Sequence, residues 1–332
     1  MTIWVVAAGR KGRDYSKYFF KYGMLFIGGV DYEDKVKNIS IGDIILLKKG
    51  ASKVIAVGKA IERNGEGFGI DNSGWLSDFD GWELKFYHHV EWYQLEKPKN
   101  IVGKFRGRFM KSITYKEEHE KFALDIINNQ KPLNNIEKPK PDDYKKVNDD
   151  QIINHLIREG LRPGNAEDLI MTFGRIRRLA KYYRKENIDV KEHETRTFLV
   201  IPLLMALGWS EQQIKIEHSV SNNSIDIACF DKPFHKKNKK CELILETKKI
   251  SSGLDYAEKQ AISYAENFSK LNFIVLTNGF CYKIFKINKN EDVQKKYKIF
   301  AYLNLLQPRE SFHLDPQVKG AKKVFSILCP SV

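Results

Sequence analysis

Three residues in the C-terminal half of the chain have the types and spacing needed to hydrolyse a phosphodiester bond. In the segment SIDIACF, Asp226 stands between Ile225 and Ile227, and in CELILETKK, Glu246 and Lys248 stand two apart. Side chains alternate along a strand, so Asp226 turns away from its apolar neighbours. Glu246 and Lys248 share one face, with Thr247 on the other. Two carboxylates from neighbouring strands and a lysine then converge. Carboxylate oxygens are the hard ligands that Mg²⁺ takes, with Mn²⁺ as a substitute. A cation held there makes a nucleophile of water and offsets charge developing on the phosphoryl oxygens, and the lysine orients water or neutralises the same charge. The competing reading is a solvent-facing strand acid followed by a charged strand end, and a D…ExK pattern alone is too short to dismiss it.

The surrounding residues narrow the choice. HETRTFLVIPLLMALGW puts Glu194 on a helix ahead of these strands; Gln260 and Tyr264 are four apart on a helix after them; LTNGF follows. Residues four apart project from one helix face. This order of helical Glu, strand Asp, ExK strand, QxxxY helix and TNG turn resembles the PD-(D/E)xK superfamily, in the form found in type I restriction subunits and related restriction proteins. The resemblance spans roughly residues 191–285. It implies that Glu194 assists Asp226 and Glu246 in metal binding, and that Gln260 shapes the site or contacts substrate. One position departs from the pattern: Ile225, not proline, precedes Asp226.

Elements to hold these residues are legible on both sides. From residue 149 the chain reads as three helices, over 149–160, 165–185 and 190–207. After Gly208 the apolar period drops to two in IKIEHSV, SIDIACF, CELILET, NFIVLTN and FCYKIFKI, with one helix over 254–270 among them. The N-terminal part reads instead as short strands broken by glycine, over 3–8, 24–28, 43–47, 54–61 and 89–92, with helices over 14–22 and 115–128. That spacing suggests a small barrel. Between the two lies NNQKPLNNIEKPKPDDYKKVNDD, with three prolines and no apolar periodicity. The expected organisation is α/β: a small N-terminal β-barrel over 1–130, a linker over 131–148, and a mixed-sheet, restriction-endonuclease-like domain over 149–332.

The segments IWVVAAGRKG, FFKYGMLFIGG, NISIGDIILL, KVIAVGKAI and HHVEW resemble a barrel module of the PUA/EVE type that precedes bacterial restriction nucleases, Mrr-like ones included. The resemblance covers about residues 1–95. It implies a pocket that accepts a flipped base, with unstacking recovered by stacking and edge hydrogen bonds. Trp4, Tyr22, Trp75 and Trp82 are the candidate pocket residues, with core packing as the alternative for each; Trp75 and Trp82 flank the polar loop LSDFDG. Arg10, Lys11 and Arg13 in AGRKGR, and Lys236 and Lys237 in DKPFHKKNKK, are candidate phosphate contacts, with a plain turn and a plain solvated loop as alternatives. GEGFG is followed by no GK[ST], so no NTP is expected. His88 and His89 adjoin and point to opposite strand faces, which argues against a shared metal.

The formal net charge of +14, from 56 Lys and Arg against 42 Asp and Glu, suits a polyanion such as double-stranded DNA. Lysine-rich composition alone gives the same balance. None of Cys229, Cys241, Cys281 and Cys329 forms a CxxC pair, so reduced thiols in a cytoplasmic protein are expected. No leader or membrane span is expected. The favoured reading is an Mg²⁺-dependent, modification-dependent restriction endonuclease that recognises a modified base through its first domain and acts as a homodimer, at least on DNA. Rival readings are a type II-like or repair nuclease reading unmodified DNA, and a nucleic-acid-binding protein with a non-cutting nuclease fold; RNA binding by the barrel also stays open.

Overall fold

The computed structural model describes residues 1–9, 13–28, 32–79, 81–138, 145–186, 188–220, 223–237, 239–254, 268, 271–287 and 297–330. The chain divides into two units, Met1–Asp142 and Asp143–Val332.

Unit 1 contains β1 (Ile3–Ala7), α1 (Ser16–Tyr22), β2 (Met24–Ile27), α2 (Glu33–Lys37), β3 (Ile44–Lys49), β4 (Lys53–Ala60), β5 (Phe68–Ile70), β6 (Phe86–Asn100), β7 (Phe109–Lys111) and α3 (Lys116–Asn129). Its seven strands form one sheet in the order β2-β6-β4-β3-β1-β7, with β5 also on β6. β1 and β3 run parallel, and the remaining pairs are antiparallel. The sheet curls as a half-barrel. The 15-residue β6 makes that possible, pairing with β2 and β5 early in its course and with β4 along most of its length. Alternate residues of β1, β3, β4 and β6 (Ile3, Val5, Ile44, Leu46, Val54, Val57, Tyr93, Leu95) enclose a core that Ala123 and Ile126 of α3 close. Helix α1 stops at Gly23, whose φ of 58° is a left-handed conformation open to glycine, and whose N–H bonds back to Phe19 and Phe20 carbonyls. The proline-bearing segment does not leave the unit at once. The Leu133 amide donates to the Trp92 carbonyl (2.8 Å) and the Glu137 amide to the Lys21 carbonyl (2.8 Å). Residues 139–144 of the expected linker lie outside the described residues.

Unit 2 begins with α4 (Asp149–Arg158) and α5 (Pro163–Lys185). A short α6 (Glu192–Thr195) then runs through a π-helical turn (Arg196–Val200) into α7 (Ile201–Ala206). Asn148 starts α4 through a reciprocal cap with Gln151, each side chain bonding the other's amide (2.8 and 3.0 Å). The strands are β8 (Ile214–Val220), β9 (Asn223–Phe230), β10 (Cys241–Thr247), β11 (Phe273–Thr277), β12 (Cys281–Ile287), β13 (Tyr297–Asn304), β14 (Ser311–Phe312) and β15 (Asp315–Lys319), followed by α8 (Ala321–Leu328). They form one mixed sheet in the order β14-β15-β13-β12-β11-β10-β9-β8. β10 and β11 are parallel, which demands a crossover between them. The helix expected over 254–270 falls there, and residues 255–267, with Gln260 and Tyr264, lie outside the described residues. The Trp209 indole donates to the Leu328 carbonyl (2.6 Å), tying α8 to the end of α7. Among the described residues, no helix is long and apolar enough to cross a membrane.

Candidate active site

The central strands of unit 2 bring three acids into a row. β9 and β10 pair antiparallel through Ile244↔Ala228 and Leu245↔Ile227, so the next step sets Glu246 opposite Asp226. On the other side, β8 pairs Ile216↔Ile227 and His218↔Ile225, which brackets Glu217 opposite the same Asp226. Each carboxylate is held differently. Asp226 Oδ2 accepts from the Thr247 amide and from Thr247 Oγ1, both at 2.7 Å, while Oδ1 accepts from Arg196 Nη1 at 3.1 Å. Arg196 Nη2 donates to Glu217 Oε1 at 2.7 Å. Lys248 Nζ donates to Glu246 Oε1 at 2.7 Å and stands 3.8 Å from Glu192 Oε2. The other Glu246 oxygen, Oε2, is buried and has no hydrogen-bond partner among the described residues.

These arrangements have local causes. Thr247 ends β10, and Lys248 continues the line by donating its amide to the Thr277 carbonyl of β11 (2.8 Å). The TNG turn after β11 braces the segment beyond: Asn278 donates to the Ser252 carbonyl (2.9 Å) and accepts from the Cys281 amide (3.0 Å). Gly279, at φ 92°, lies so close to the π-helical turn that a Cβ there would stand 2.5 Å from Leu199 Cδ1. The π-helical turn begins with Arg196, only 7% exposed, so its guanidinium lies beneath the acid row instead of in solvent. π-turns inside α-helices recur at functional sites.

Burial dominates the electrostatics of Glu246. The residue is 3% exposed, and this, with the nearby Asp226 charge, pushes its carboxyl up to about 7. Lys248 is pulled down by burial, but its hydrogen bond and charge contact with Glu246 outweigh this and raise it. A buried carboxylate oxygen without a partner is costly unless something supplies positive charge. Asp226 and Glu246 therefore fit a hard divalent cation. No three His, Cys, Asp or Glu side chains converge closely enough to hold one by themselves among the described residues. Mg²⁺ commonly takes one or two carboxylates and fills the rest of its shell with water and substrate phosphate.

Asp226, Glu246 and Lys248 thus come together, whereas Glu194 turns elsewhere: its Oε2 accepts from the Lys191 amide (2.7 Å) at the start of α6. The helical acid beside Lys248 is Glu192. Gln260 lies outside the described residues. Arg196 and Glu217 form an ion pair alongside the site that no sequence pattern signals.

Unit 1 contains a cavity of about 810 Å³ whose lining includes Tyr22, Arg63, Glu66, Trp75, Tyr87 and His89. Tyr22 and Trp75 meet edge to face at 5.2 Å. Tyr87 and His89 lie two apart on β6 and so share the cavity face, a signal present in the segment YHHVEW. His88 turns the other way and is buried, as alternation requires. The His89 ring is pushed down to about 4, first by burial and then by the Arg63 charge, and its buried Nδ1 has no hydrogen-bond partner among the described residues.

Two aromatic candidates and one cation need correction. Trp4 is a core residue, 3% exposed, with its indole donating to Asp43 (3.0 Å) and its ring against Phe109 (5.2 Å). Trp82 is 39% exposed and is not among the residues lining the cavity; the Arg13 guanidinium covers its ring at 4.4 Å. Arg13 is buried, so it offers no phosphate contact in this arrangement. Lys236 and Lys237 are exposed, while Arg10 and Lys11 lie outside the described residues. On α5, Arg175, Arg178, Lys181 and Lys185 are exposed, but Arg177 is structural, bonded to the Leu305 carbonyl and to Asp149 (both 2.6 Å).

Residues 191–301 match the family model for the type I restriction enzyme R protein N terminus. The matched third of the chain contains α6, the acid row, Lys248 and the TNG turn, and it is restriction-enzyme-like, which implies DNA as the partner. Neither the curated proteins nor the solved structures contain a match to the chain.

Proposed function

We propose that this protein is a divalent-cation-dependent DNA endonuclease of PD-(D/E)xK type, built as a base-reading unit followed by a restriction nuclease unit. One observation carries the catalytic half: Glu246, opposite Asp226 on the neighbouring strand, has one buried oxygen with no partner among the described residues, and Lys248 holds the other oxygen of the same carboxylate. Asp226 and Glu246 would hold Mg²⁺ or Mn²⁺, which supplies acidification of water and neutralisation of phosphoryl charge. Thr247 fixes the Asp226 carboxylate with two hydrogen bonds, so that ligand is aimed before substrate arrives. Lys248, anchored by Glu246, presents its ammonium at the same place to orient water or offset charge on the phosphate.

Selectivity is assigned to the cavity of unit 1. Tyr22, Trp75 and Tyr87 offer ring faces and edges, and His89 and Arg63 offer hydrogen-bonding groups, the set that a flipped base requires. A modified base is the favoured ligand. One such nuclease site opens one strand, so two copies of the chain would act together to break a duplex.

The test is incubation with Mg²⁺ and matched plasmids from methylating, hydroxymethylating and methylation-free hosts, with EDTA as control. Cutting confined to one modified plasmid supports the whole reading, and second-order dependence of double-strand cutting on protein supports paired action. Equal cutting of all three plasmids favours a nuclease reading unmodified DNA. No cutting of any plasmid, with Mg²⁺ or Mn²⁺, removes the enzymatic assignment.

A further inference from the structure

The row of acids is interleaved with cations, and the pattern has one gap. Across β8, β9 and β10 the carboxylates are Glu217, Asp226 and Glu246. Between the first two lies the Arg196 guanidinium, with one nitrogen on each. Beyond the third lies Lys248. No cationic side chain bridges Asp226 and Glu246 among the described residues, and the second Glu246 oxygen has no partner among them either.

Arg196 is not needed to aim Asp226. Thr247 already supplies two hydrogen bonds to Asp226 Oδ2, both at 2.7 Å, whereas the Arg196 contact to Oδ1 is longer, at 3.1 Å. The stronger attachment of Arg196 is to Glu217, whose carboxylate is 68% exposed on the edge strand. Glu217 adopts φ 50°, a left-handed conformation uncommon for a non-glycine residue, at the position facing Asp226. Strained backbone of this kind persists where surrounding contacts enforce it, and it clusters at functional sites. From that backbone the Glu217 carboxylate reaches Arg196.

We propose that Arg196 is a built-in cation occupying the space between Asp226 and Glu217, so that each chain takes one divalent ion, between Asp226 and Glu246, and not two. The inference rests on the metal-dependent reading above and specifies its stoichiometry. Charge agrees with it. Glu192, Glu217, Asp226 and Glu246 against Arg196 and Lys248 leave two negative charges with every group ionised, which one divalent ion neutralises and a second would overshoot. Removing Arg196 exposes Asp226 Oδ1 and Glu217 Oε1 together, and those oxygens can then take a second ion.

Mn²⁺ uptake by the full chain without DNA, followed by electron paramagnetic resonance and equilibrium dialysis, tests this without reference to cleavage. The wild type is expected to bind one Mn²⁺ per chain. Arg196→Met, which keeps the length and removes the charge, is expected to bind two, and Arg196→Met with Glu217→Gln to return to one. Glu217→Gln alone, on an exposed side chain that threatens no fold, should leave the single affinity within about threefold. Two ions in the wild type overturn the proposal, as does a folded Arg196→Met protein that still binds one, or a tenfold loss of affinity in Glu217→Gln. A folded wild type that takes up no Mn²⁺ overturns the metal-dependent reading, and this inference with it; that outcome is distinct from binding with the wrong stoichiometry.

Discussion

Asp226 and Glu246 stand opposite each other on β9 and β10, and among the described residues their hydrogen bonding is unequal: Asp226 accepts three bonds, while one oxygen of Glu246 accepts none. The inequality assigns different consequences to mutating each. Asp226 is a structural partner as well as a candidate ligand, because Arg196 and Thr247 depend on it. Glu246 is costly where it stands, and the proposed cation is what would offset that cost.

Replacing either acid by its amide, or Lys248 by Met, should lower cleavage by about 10²-fold or more, since each removes charge placed for the transition state. The variants should differ in stability. Asp226→Ala strands the buried Arg196, and breaking a buried pair costs roughly 3–5 kcal/mol, an upper range here because Glu217 still holds the other nitrogen. Asp226→Asn retains acceptor capacity and should melt closer to wild type. Glu246→Gln should melt at or above wild type. Cleavage assays beside thermal melts decide; an active Asp226→Asn protein removes the site assignment.

Glu192 and Glu194 separate the resemblance from the geometry. Glu192 stands 3.8 Å from the Lys248 ammonium, and Glu194 caps the start of α6. Glu192→Gln is expected to change turnover more than Glu194→Gln does. Glu194→Gln still leaves an acceptor for the Lys191 amide, whereas Glu194→Ala removes that cap and should mainly cost about 0.5–1 kcal/mol of stability. If Glu194→Gln lowers turnover further than Glu192→Gln with an unchanged melt, the ligand role implied by the resemblance stands after all.

How much was legible follows from what each residue does. Asp226 and Glu246 are legible because strand alternation fixes their faces, and Lys248, one residue past the end of β10, because the ExK spacing and the motifs around it mark it. Glu217 sits in an equally alternating strand, IKIEHSV, and reads there as an ordinary edge-strand acid; its role arises from a left-handed backbone that no local pattern signals. Arg196 lies in HETRTFLV, where a cation on an amphipathic helix reads as solvated, and the π-helical turn that buries it has no sequence signature. Trp4 illustrates the opposite error. Its indole is satisfied by Asp43, thirty-nine residues away on the chain, a partner that only the parallel pairing of β1 with β3 brings near. The short α2, β5 and β7 carry too few residues for any period to show.

Unit 1 should lose stability in acid through His89. An ordinary imidazole takes its proton near 6.5, whereas the folded His89 resists until about 4. Between those values the unfolded chain binds more protons than the folded one, so stability falls as pH drops from about 6.5 to about 4 and is fully present above that window. The melting temperature of unit 1 should decline across this range, and His89→Gln should flatten the decline. An unchanged slope in the variant would assign the acid sensitivity to another group, His88 and His119 being the other buried, down-shifted rings.

The cavity makes a sharper claim about selectivity than the four aromatic candidates did. In the cleavage-silent Glu246→Gln chain, one modified duplex should bind about tenfold to a hundredfold more tightly than its unmodified twin. That corresponds to the roughly 1–3 kcal/mol that reading one base edge provides. Trp75→Ala should erase this difference, because Trp75 lines the cavity beside Tyr22. Trp82→Ala should leave it intact, since that ring lies under Arg13 and away from the cavity lining. Trp4→Ala should instead melt the unit by removing a buried ring and one of the three hydrogen bonds that Asp43 accepts. Raising salt should weaken modified and unmodified complexes by similar factors, because the counterion contribution is blind to the base. The measurement is a titration against duplexes carrying 5-methylcytosine, 5-hydroxymethylcytosine, its glucosylated form, N6-methyladenine and no modification. Equal affinity for all five, or selectivity that survives Trp75→Ala and disappears with Trp82→Ala, would show that the cavity is not the reader. The nuclease assignment would then stand on the acid row alone.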